Sequence, residues 1–436
     1  MKHQNITYPD RTKMPSLGKL SPLNMPKPQK VILKNGMEAF LIEAGQEKIT
    51  RIDVVFEAGS AFQSKRLVAG SVNSLLKEGT QTKSSNEIAG LLDYYGAYLN
   101  TSYNKDTASI MLLSLTKHLD VLLPLLGELI SRSVFPEREL EIYLNRQKQR
   151  YLVNIEKVKY RASLEFNKII FGDDTAYGQV LEMDDFNHVT REDVVSFYQN
   201  FYVPDRAYMV VSGHIDKEVV NLLEQYLGAF ERENTYDDLK SIRFFSEPSV
   251  FEKKIEKKNA LQSALRIGKP IVNRTHPDFA MVSLLNTVLG GYFGSRLMSN
   301  LREDKGYTYG AYSYLQTYKR AAYFTVATEV NSSYTQAALN EICREVKRLR
   351  EVPISKEELT LVKHYIYGNF QKSFDGPLAL SDRFMAVKDH GLTFDHFKQV
   401  LEKIMEATPE KLLETANRYF QADRMVRLIV GKIDED

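Results

Sequence analysis

An arginine and a tyrosine separated by seven positions, Arg302 and Tyr309, are the residues of this sequence with the clearest chemical potential. A guanidinium and a phenol both donate hydrogen bonds, and two donors that converge on one spot can stabilise an oxyanion formed at a peptide carbonyl. The alternative interpretation makes Arg302 a solvated helix residue beside Glu303 and Asp304, and Tyr309 an ordinary strand aromatic. These two residues by themselves leave both interpretations open.

The elements that would position this pair follow from the pattern of residues 284–310. Leucines at helical spacing give way to Gly290, Gly291 and Gly294, and alternating aromatic residues come afterwards. This order predicts a helix, a glycine break, a second short helix and a strand. Arg302 is expected near the end of the second helix, and Tyr309 on the strand that follows.

The same stretch resembles the C-terminal-domain signature of the insulinase, pitrilysin and mitochondrial-processing-peptidase family, whose members carry the inverted zinc motif H-x-x-E-H. In that family this signature supplies an arginine and a tyrosine, seven residues apart, to substrate in the active site. The resemblance therefore implies those roles for Arg302 and Tyr309. It extends weakly over most of the chain and is strongest between Leu265 and Ser313.

The zinc motif of the family is expected on the first helix of the chain, and here its functional groups are missing. Aligning Gly79-Thr80 with the family's Gly-Thr places Gly70 and Ser74 at the two histidine positions and Asn73 at the glutamate position. The third ligand would fall near residues 147–151, which contain no acidic side chain. No two of the 8 histidines are spaced at i and i+4, so the sequence predicts no metal in this chain.

Composition limits the function classes further. With 43% hydrophobic and 26% charged residues, the 436-residue chain is typical of a soluble globular protein. Its 58 basic and 56 acidic residues give no field that favours nucleic acid or a membrane surface as partner. Cys343 is the only cysteine, and the first thirty residues contain no apolar run, so a cytoplasmic location is expected.

The ends of the two halves repeat each other at a constant offset. Three pairs of short segments match in residue type, and their first residues differ by 408 − 190, 423 − 205 and 431 − 213, which is 218 in every case. The pairs are 190–194 with 408–412, 205–206 with 423–424, and 213–216 with 431–434. Because 218 is half of 436, the chain is predicted to be a duplication of one α/β unit.

The predicted fold class is α+β, with two tandem homologous domains, each a mostly antiparallel sheet with helices packed on one face. Asn35-Gly36 between apolar segments predicts a β-hairpin at the start of the first domain, and Ser84 with Glu87 predicts a helix N-terminus. The expected divisions are an extended arm at 1–28, a first domain at 29–230, a linker at 231–248 and a second domain at 249–436.

The leading functional hypothesis is a zinc-free, non-catalytic subunit of a heterodimeric metallopeptidase that degrades or processes peptides. By the resemblance, the partner is a zinc-bearing homologous subunit, the substrate is an unfolded peptide, and this chain supplies Arg302 and Tyr309 to the partner's site. The chain would be inactive alone and hold no cofactor, with zinc in the partner. Pairing of the chain with itself is left open.

Two rival hypotheses come from other classes of protein. The first is a structural scaffold or peptide-binding protein of the same fold that has no proteolytic role. The second is a metallopeptidase that works alone, which the missing groups at positions 70, 73 and 74 argue against.

Overall fold

The computed structural model describes residues 10–13, 25–234 and 241–433. Most of the predicted arm, at 1–9 and 14–24, lies outside the described residues, as does the middle of the predicted linker, at 235–240. Within the described ranges, no helix is both long enough and apolar enough to cross a bilayer.

The first sheet has six strands in the order β1-β2-β6-β3-β5-β4. All neighbouring strands are antiparallel except β2 and β6, which run parallel. The predicted hairpin forms between β1 and β2, where Gly36 adopts a φ of +84° that favours glycine. The strands are β1 (Gln29–Ile32), β2 (Glu38–Glu43), β3 (Ile49–Phe56), β4 (Tyr98–Tyr103), β5 (Ala108–Leu115) and β6 (Ala207–Gly213).

The described part of the first half contains seven α-helices. The predicted helix N-terminus is confirmed, because Ser84 and Glu87 form a reciprocal capping box at the start of α2. The helices are α1 (Val68–Leu75), α2 (Ser85–Tyr95), α3 (Leu119–Ser131), α4 (Glu137–Ile155), α5 (Val158–Phe171), α6 (Arg191–Phe201) and α7 (Lys217–Tyr226).

The second sheet has five strands in the order β7-β11-β8-β10-β9, with β7 parallel to β11 and the other pairs antiparallel. The predicted α+β class is therefore confirmed. The strands are β7 (Glu252–Glu256), β8 (Gln262–Pro270), β9 (Ala311–Thr317), β10 (Ala322–Asn331) and β11 (Val426–Gly431). The helices are α8 (Phe279–Gly290), α9 (Thr335–Glu351), α10 (Lys356–Lys372), α11 (Gly376–Lys388), α12 (Asp395–Glu406) and α13 (Pro409–Tyr419).

The offset of 218 seen in the sequence recurs in the positions of the elements. Helices α5 and α11 begin at 158 and 376, and 376 − 158 = 218. Helices α6 and α13 begin at 191 and 409, and 409 − 191 = 218. The closing strands β6 and β11 end at 213 and 431, which differ by the same number. The two halves thus repeat one order of elements.

One helix of each half packs against the sheet of the other half. Helix α5 packs on the face of the second sheet that carries Ala264 and Leu428, with Phe166 buried there. Helix α11 packs on the first sheet, where the ring centroids of Phe384 and Phe40 lie 4.9 Å apart. Each sheet is therefore covered by its own helices on one face and, in addition, by one exchanged helix on the other.

Asp389, at the end of α11, ties the exchanged helix to the first sheet, because its carboxylate accepts a hydrogen bond from Tyr208 Oη at 2.7 Å. Burial raises the pKa of the Asp389 carboxyl to about 6, and the hydrogen bond from Tyr208 opposes this rise. The folded chain therefore binds this proton more tightly than the unfolded chain. The resulting stability is complete below about pH 4 and is lost as the pH rises through about 6.

Asp389→Asn is expected to remove this loss, which amounts to about 2–3 kcal/mol in the free energy of unfolding. Urea unfolding of the full chain at several pH values between about 4 and 7 gives the free energy of unfolding at each pH. The slope of this free energy against pH should differ between Asp389→Asn and the unsubstituted protein. The exposed Asp93→Asn serves as a matched control and should leave the slope unchanged. Equal slopes in the Asp389→Asn and unsubstituted proteins would contradict the assignment.

Candidate functional site

Arg302 lies in a π-helical segment, Met298–Asp304, between α8 and β9. The segment is anchored in the core of the second half, because the side chains of Met298 and Leu301 are fully buried there. The amide of Asn300 donates to two carboxylates of α9, at 3.0 and 2.8 Å. Segments of this kind occur often at functional sites, and this one holds Arg302 at the surface on a rigid support.

Tyr309 is not on a strand, which corrects the expectation from the sequence. Strand β9 begins two residues later, at Ala311. The hydroxyl of Thr308 accepts from the Gly310 amide at 3.1 Å, and Thr328 Oγ1 donates to the Gly310 carbonyl at 2.9 Å. These side-chain hydrogen bonds satisfy the backbone groups of Gly310, so the pairing of β9 with β10 begins only at Ala311. Tyr309 therefore projects from a loop, with 92% of its surface exposed.

Arg302 and Tyr309 line the same open cleft, of about 1000 Å³. One wall comes from the second half, around β8 and the loop before β9. The other includes Glu156 and Val158, at the junction of α4 and α5 in the first half. The structure therefore brings both predicted donors to one concave surface, which the exchanged helix α5 helps to form.

Neither donor is strongly engaged by its own chain. Arg302 Nε lies 3.4 Å from a carboxylate oxygen of Glu303, and the guanidinium lies 4.7 Å from the centroid of the Phe293 ring. Ion pairs and cation–π contacts at exposed positions contribute little energy. The Tyr309 hydroxyl makes no hydrogen bond to a described residue. Both groups can therefore turn to a ligand at small energetic cost.

The remaining charges of the cleft are largely paired, and an aromatic pair borders it. Lys257 Nζ lies 2.6 Å from Glu156, and Glu329 lies 2.9 Å from the buried Arg266. The rings of Tyr307 and Tyr334 stack with their centroids 4.7 Å apart. The cleft thus offers a paired polar wall, an aromatic wall and the two weakly engaged donors.

The three positions of the lost zinc motif lie on α1, and two tyrosine hydroxyls lie close to the first of them. A Cβ atom at Gly70 would lie 2.6 Å from Tyr103 Oη and 3.0 Å from Tyr143 Oη. Asn73 is buried, and its amide donates to the Ser109 carbonyl at 3.1 Å. A glycine, a packed amide and the hydroxyl of Ser74 do not make a zinc site, and a zinc ion does not fit here.

The position expected for the third ligand also lacks a carboxylate. Gln147, on α4, lines a cleft of about 520 Å³ together with Ser74 and Tyr143. Burial raises the pKa of the Tyr143 phenol to about 12, so this group stays a neutral hydroxyl. Among the described residues, no three histidine, cysteine or acidic side chains are grouped so that they could hold a metal ion.

A family model described as the peptidase M16 inactive domain matches residues 188–366. An uncharacterized zinc protease of Bacillus subtilis, YmxG, is 23% identical over 407 residues, covering 91% of this chain and 96% of that protein. The β subunit of the Saccharomyces cerevisiae mitochondrial-processing peptidase is 21% identical over 393 residues, covering 85% of this chain and 81% of the yeast subunit.

A crystal structure of a peptidase M16 inactive domain from Pseudomonas fluorescens has the same fold, with a TM-score of 0.86 and 23% identity. It covers 95% of this chain, and this chain covers 100% of it. The chain is similar in sequence to M16 peptidase proteins and shares the fold of the M16 inactive domain. The resemblance predicted from residues 265–313 is thereby confirmed.

Sequence reasoning missed the two tyrosines whose hydroxyls lie beside Gly70. Tyr143 precedes Gln147 by four positions, so helical periodicity could have placed both side chains on one face of α4. Tyr103 comes from β4, and nothing in its spacing from Gly70 indicates that the two meet. The stack of Tyr334 on Tyr307 likewise joins the short 3-10 helix before α9 to the loop before β9, and no local signal in the sequence indicates it.

Gly70→Ala is expected to lower the free energy of unfolding by about 1–3 kcal/mol, because the added methyl group overlaps the Tyr103 hydroxyl. Gly90→Ala, inside α2, is the matched control: a Cβ there meets nothing within 4 Å, and about 0.5–1 kcal/mol should be gained. Urea unfolding measures both. Equal shifts in the two variants would mean that the space beside Gly70 is open.

Proposed function

We propose that this chain is the zinc-free, non-catalytic subunit of a two-subunit M16 peptidase and that it supplies Arg302 and Tyr309 to substrate in the partner's active site. The observation that supports this proposal is the convergence of both side chains on one open cleft while α1 lacks every group of the zinc motif. The chain has the two donors Arg302 and Tyr309 and lacks the histidines and glutamate of the zinc motif.

The two donors have complementary roles in this proposal. Arg302 brings a permanent positive charge, and Tyr309 brings a neutral hydroxyl; together they hold the oxygen of the peptide carbonyl as negative charge develops on it. The cleft is open and about 1000 Å³ in volume, which suits an extended, unfolded peptide better than a compact one. The paired charges of Glu156 and Glu329 keep free carboxylates away from that oxygen.

The partner in this proposal is a homologous subunit that carries the zinc motif. The yeast relative supports a partnership, because its name describes it as one subunit of a peptidase. A second copy of this chain could not take that place, since it would lack the same groups at positions 70, 73 and 74. We infer the cytoplasm as the compartment, in line with the single cysteine.

A second candidate function is a scaffold or peptide-binding protein without a proteolytic role. The contacts of Arg302 with Glu303 and Phe293 favour it, because they give the side chain a structural use within its own chain. The stacked Tyr307 and Tyr334 would then be the principal contacts for a bound peptide.

Reconstitution with a homologue that carries H-x-x-E-H, encoded beside this chain, tests the proposal. Bound zinc and cleavage of a quenched peptide are measured for this chain, for the homologue and for their mixture. We expect zinc in the homologue only, and cleavage in the mixture at a rate well above that of the homologue alone. A stable complex that cleaves no faster than the homologue alone would contradict the proposal and favour the scaffold.

A further inference from the structure

A second cavity, of about 360 Å³, lies among α8, α10, α11 and α12 in the second half. It shares no lining residue with the cleft that contains Arg302 and Tyr309. Its volume falls within the range that is typical of sites for small organic ligands. The peptidase role proposed above does not use it.

The cavity is lined by basic side chains without an acidic counterpart. Arg274, Arg383 and His396 face it, and no aspartate or glutamate is among its lining residues. No carboxylate of the described chain lies within 4 Å of either guanidinium. The side chain of Arg274 makes one described hydrogen bond, from Nε to Thr317 Oγ1 at 2.9 Å, so its two terminal nitrogens are without a described partner.

Such an arrangement is costly unless an anion completes it. Burial lowers the pKa of Arg274, and the positive charge of Arg383 lowers it further. Burial and then the charge of Arg274 likewise lower the pKa of His396. Partly buried cations without a counter-charge repel each other and lose hydration, and proteins normally pair them. Here the half-buried Arg274 and the exposed Arg383, neither of which makes a described ion pair, border a cavity that could hold the missing negative charge.

A buried polar side chain in the same wall gives independent support for a ligand. Asn286, on α8, is 9% exposed, and its Oδ1 is buried without a hydrogen-bond partner. Neither end of the amide bonds to a described residue, although Asn286 lines the cavity. Buried amides are normally satisfied. An ionised carboxylate cannot donate to Oδ1, but it can accept a hydrogen bond from the amide nitrogen of the same side chain.

The wall has an apolar part beside polar groups that include Ser283, Thr287 and Asn369. Phe279, Leu315, Ile366, Phe397, Val400 and Ile404 contribute side chains to it. The Arg274 guanidinium lies 5.8 Å from the centroid of Phe279, and the His396 ring lies 6.2 Å from the same ring. The basic groups therefore border a partly apolar pocket, and a ligand with one anionic end and one apolar body would match both parts of its wall.

We propose that this cavity binds a small organic carboxylate with an apolar chain, whose carboxylate pairs with Arg274 and Arg383 while the chain packs among the phenylalanines. A planar guanidinium matches a carboxylate through paired hydrogen bonds. The apolar lining disfavours inorganic phosphate, which would leave that surface uncovered.

Calorimetric titration of the full chain with sodium decanoate tests the proposal, with 1-decanol and inorganic phosphate as comparison ligands. We expect decanoate to bind with a stoichiometry of one. Arg383→Gln, at an exposed position, should weaken binding by about 10- to 100-fold, since a charged hydrogen bond is lost, and Arg274→Gln by at least as much. Arg138→Gln, an exposed arginine on α4, is the matched control and should bind like the unsubstituted chain.

Three results would overturn the proposal: no binding of decanoate, equal binding of decanol and decanoate, or phosphate binding without decanoate. Unchanged decanoate affinity in Arg383→Gln would also overturn it. This last variant keeps the test decisive if Arg274→Gln fails to fold, because Arg383 is exposed and makes no described ion pair.

Discussion

Arg302→Ala is expected to lower kcat/KM of the assembled two-subunit peptidase by about 10²–10³-fold, the effect of removing one donor from an oxyanion site. Tyr309→Phe, which keeps the ring and removes only the hydroxyl, should lower it by about 10²-fold. Because both donors act mainly on the charge that develops in the reaction, kcat should fall while KM changes little. Steady-state cleavage of a quenched peptide measures both constants.

Assembly has to be separated from chemistry in this experiment. Arg138→Ala and Tyr94→Phe replace an arginine and a tyrosine that are also exposed but lie on first-half helices, and neither should change kcat. Analytical ultracentrifugation of each variant with its partner shows whether the complex still forms. Full activity in a complex that contains Arg302→Ala or Tyr309→Phe would refute the roles given to these residues.

Phe384→Ala is expected to lower the free energy of unfolding by about 3–5 kcal/mol, because a buried aromatic ring is removed from a packed cluster. Its counterpart in the repeat is Phe166, since 384 − 166 = 218, and Phe166→Ala should cost a similar amount. Phe251→Ala, with 50% of its surface exposed, is the control and should change stability by less than about 0.5 kcal/mol. Urea unfolding measures all three.

The prediction also specifies which strands of the protein each substitution destabilises. Phe384 belongs to the second half, yet its ring packs against Phe40 and Val210 of the first sheet. Hydrogen exchange in Phe384→Ala should therefore rise first in β2 and β6, while Phe166→Ala should affect β8 and β11. Faster exchange confined to the half that carries the substitution would contradict the exchanged-helix packing.

The helix exchange also bears on the candidate site. Val158, the first residue of α5, and the neighbouring Glu156 form part of the cleft that holds Arg302 and Tyr309. Helix α5 in turn is fixed on the second sheet through Phe166. The cleft is thus built by both halves, and its shape depends on the packing that Phe166→Ala removes.

The sequence by itself determined the features that depend on neighbouring residues. Asn35-Gly36 specified a hairpin and Ser84 with Glu87 a capping box, because both act over two to three residues. The offset of 218 revealed the repeat, and the absence of histidines at 70 and 74 excluded a zinc motif there. The spacing of Arg302 and Tyr309 identified the pair, although the start of β9 was misplaced by two residues.

Only the tertiary structure showed which residues far apart in the sequence contact each other. The hydroxyls of Tyr103 and Tyr143 beside Gly70, the exchange of α5 and α11, and the basic cavity around Arg274 all join residues that no local period connects. Hydrophobic packing is non-directional, so the sequence pattern shows that Phe166 and Phe384 are buried without showing against which sheet. That choice depends on the shape of the whole chain.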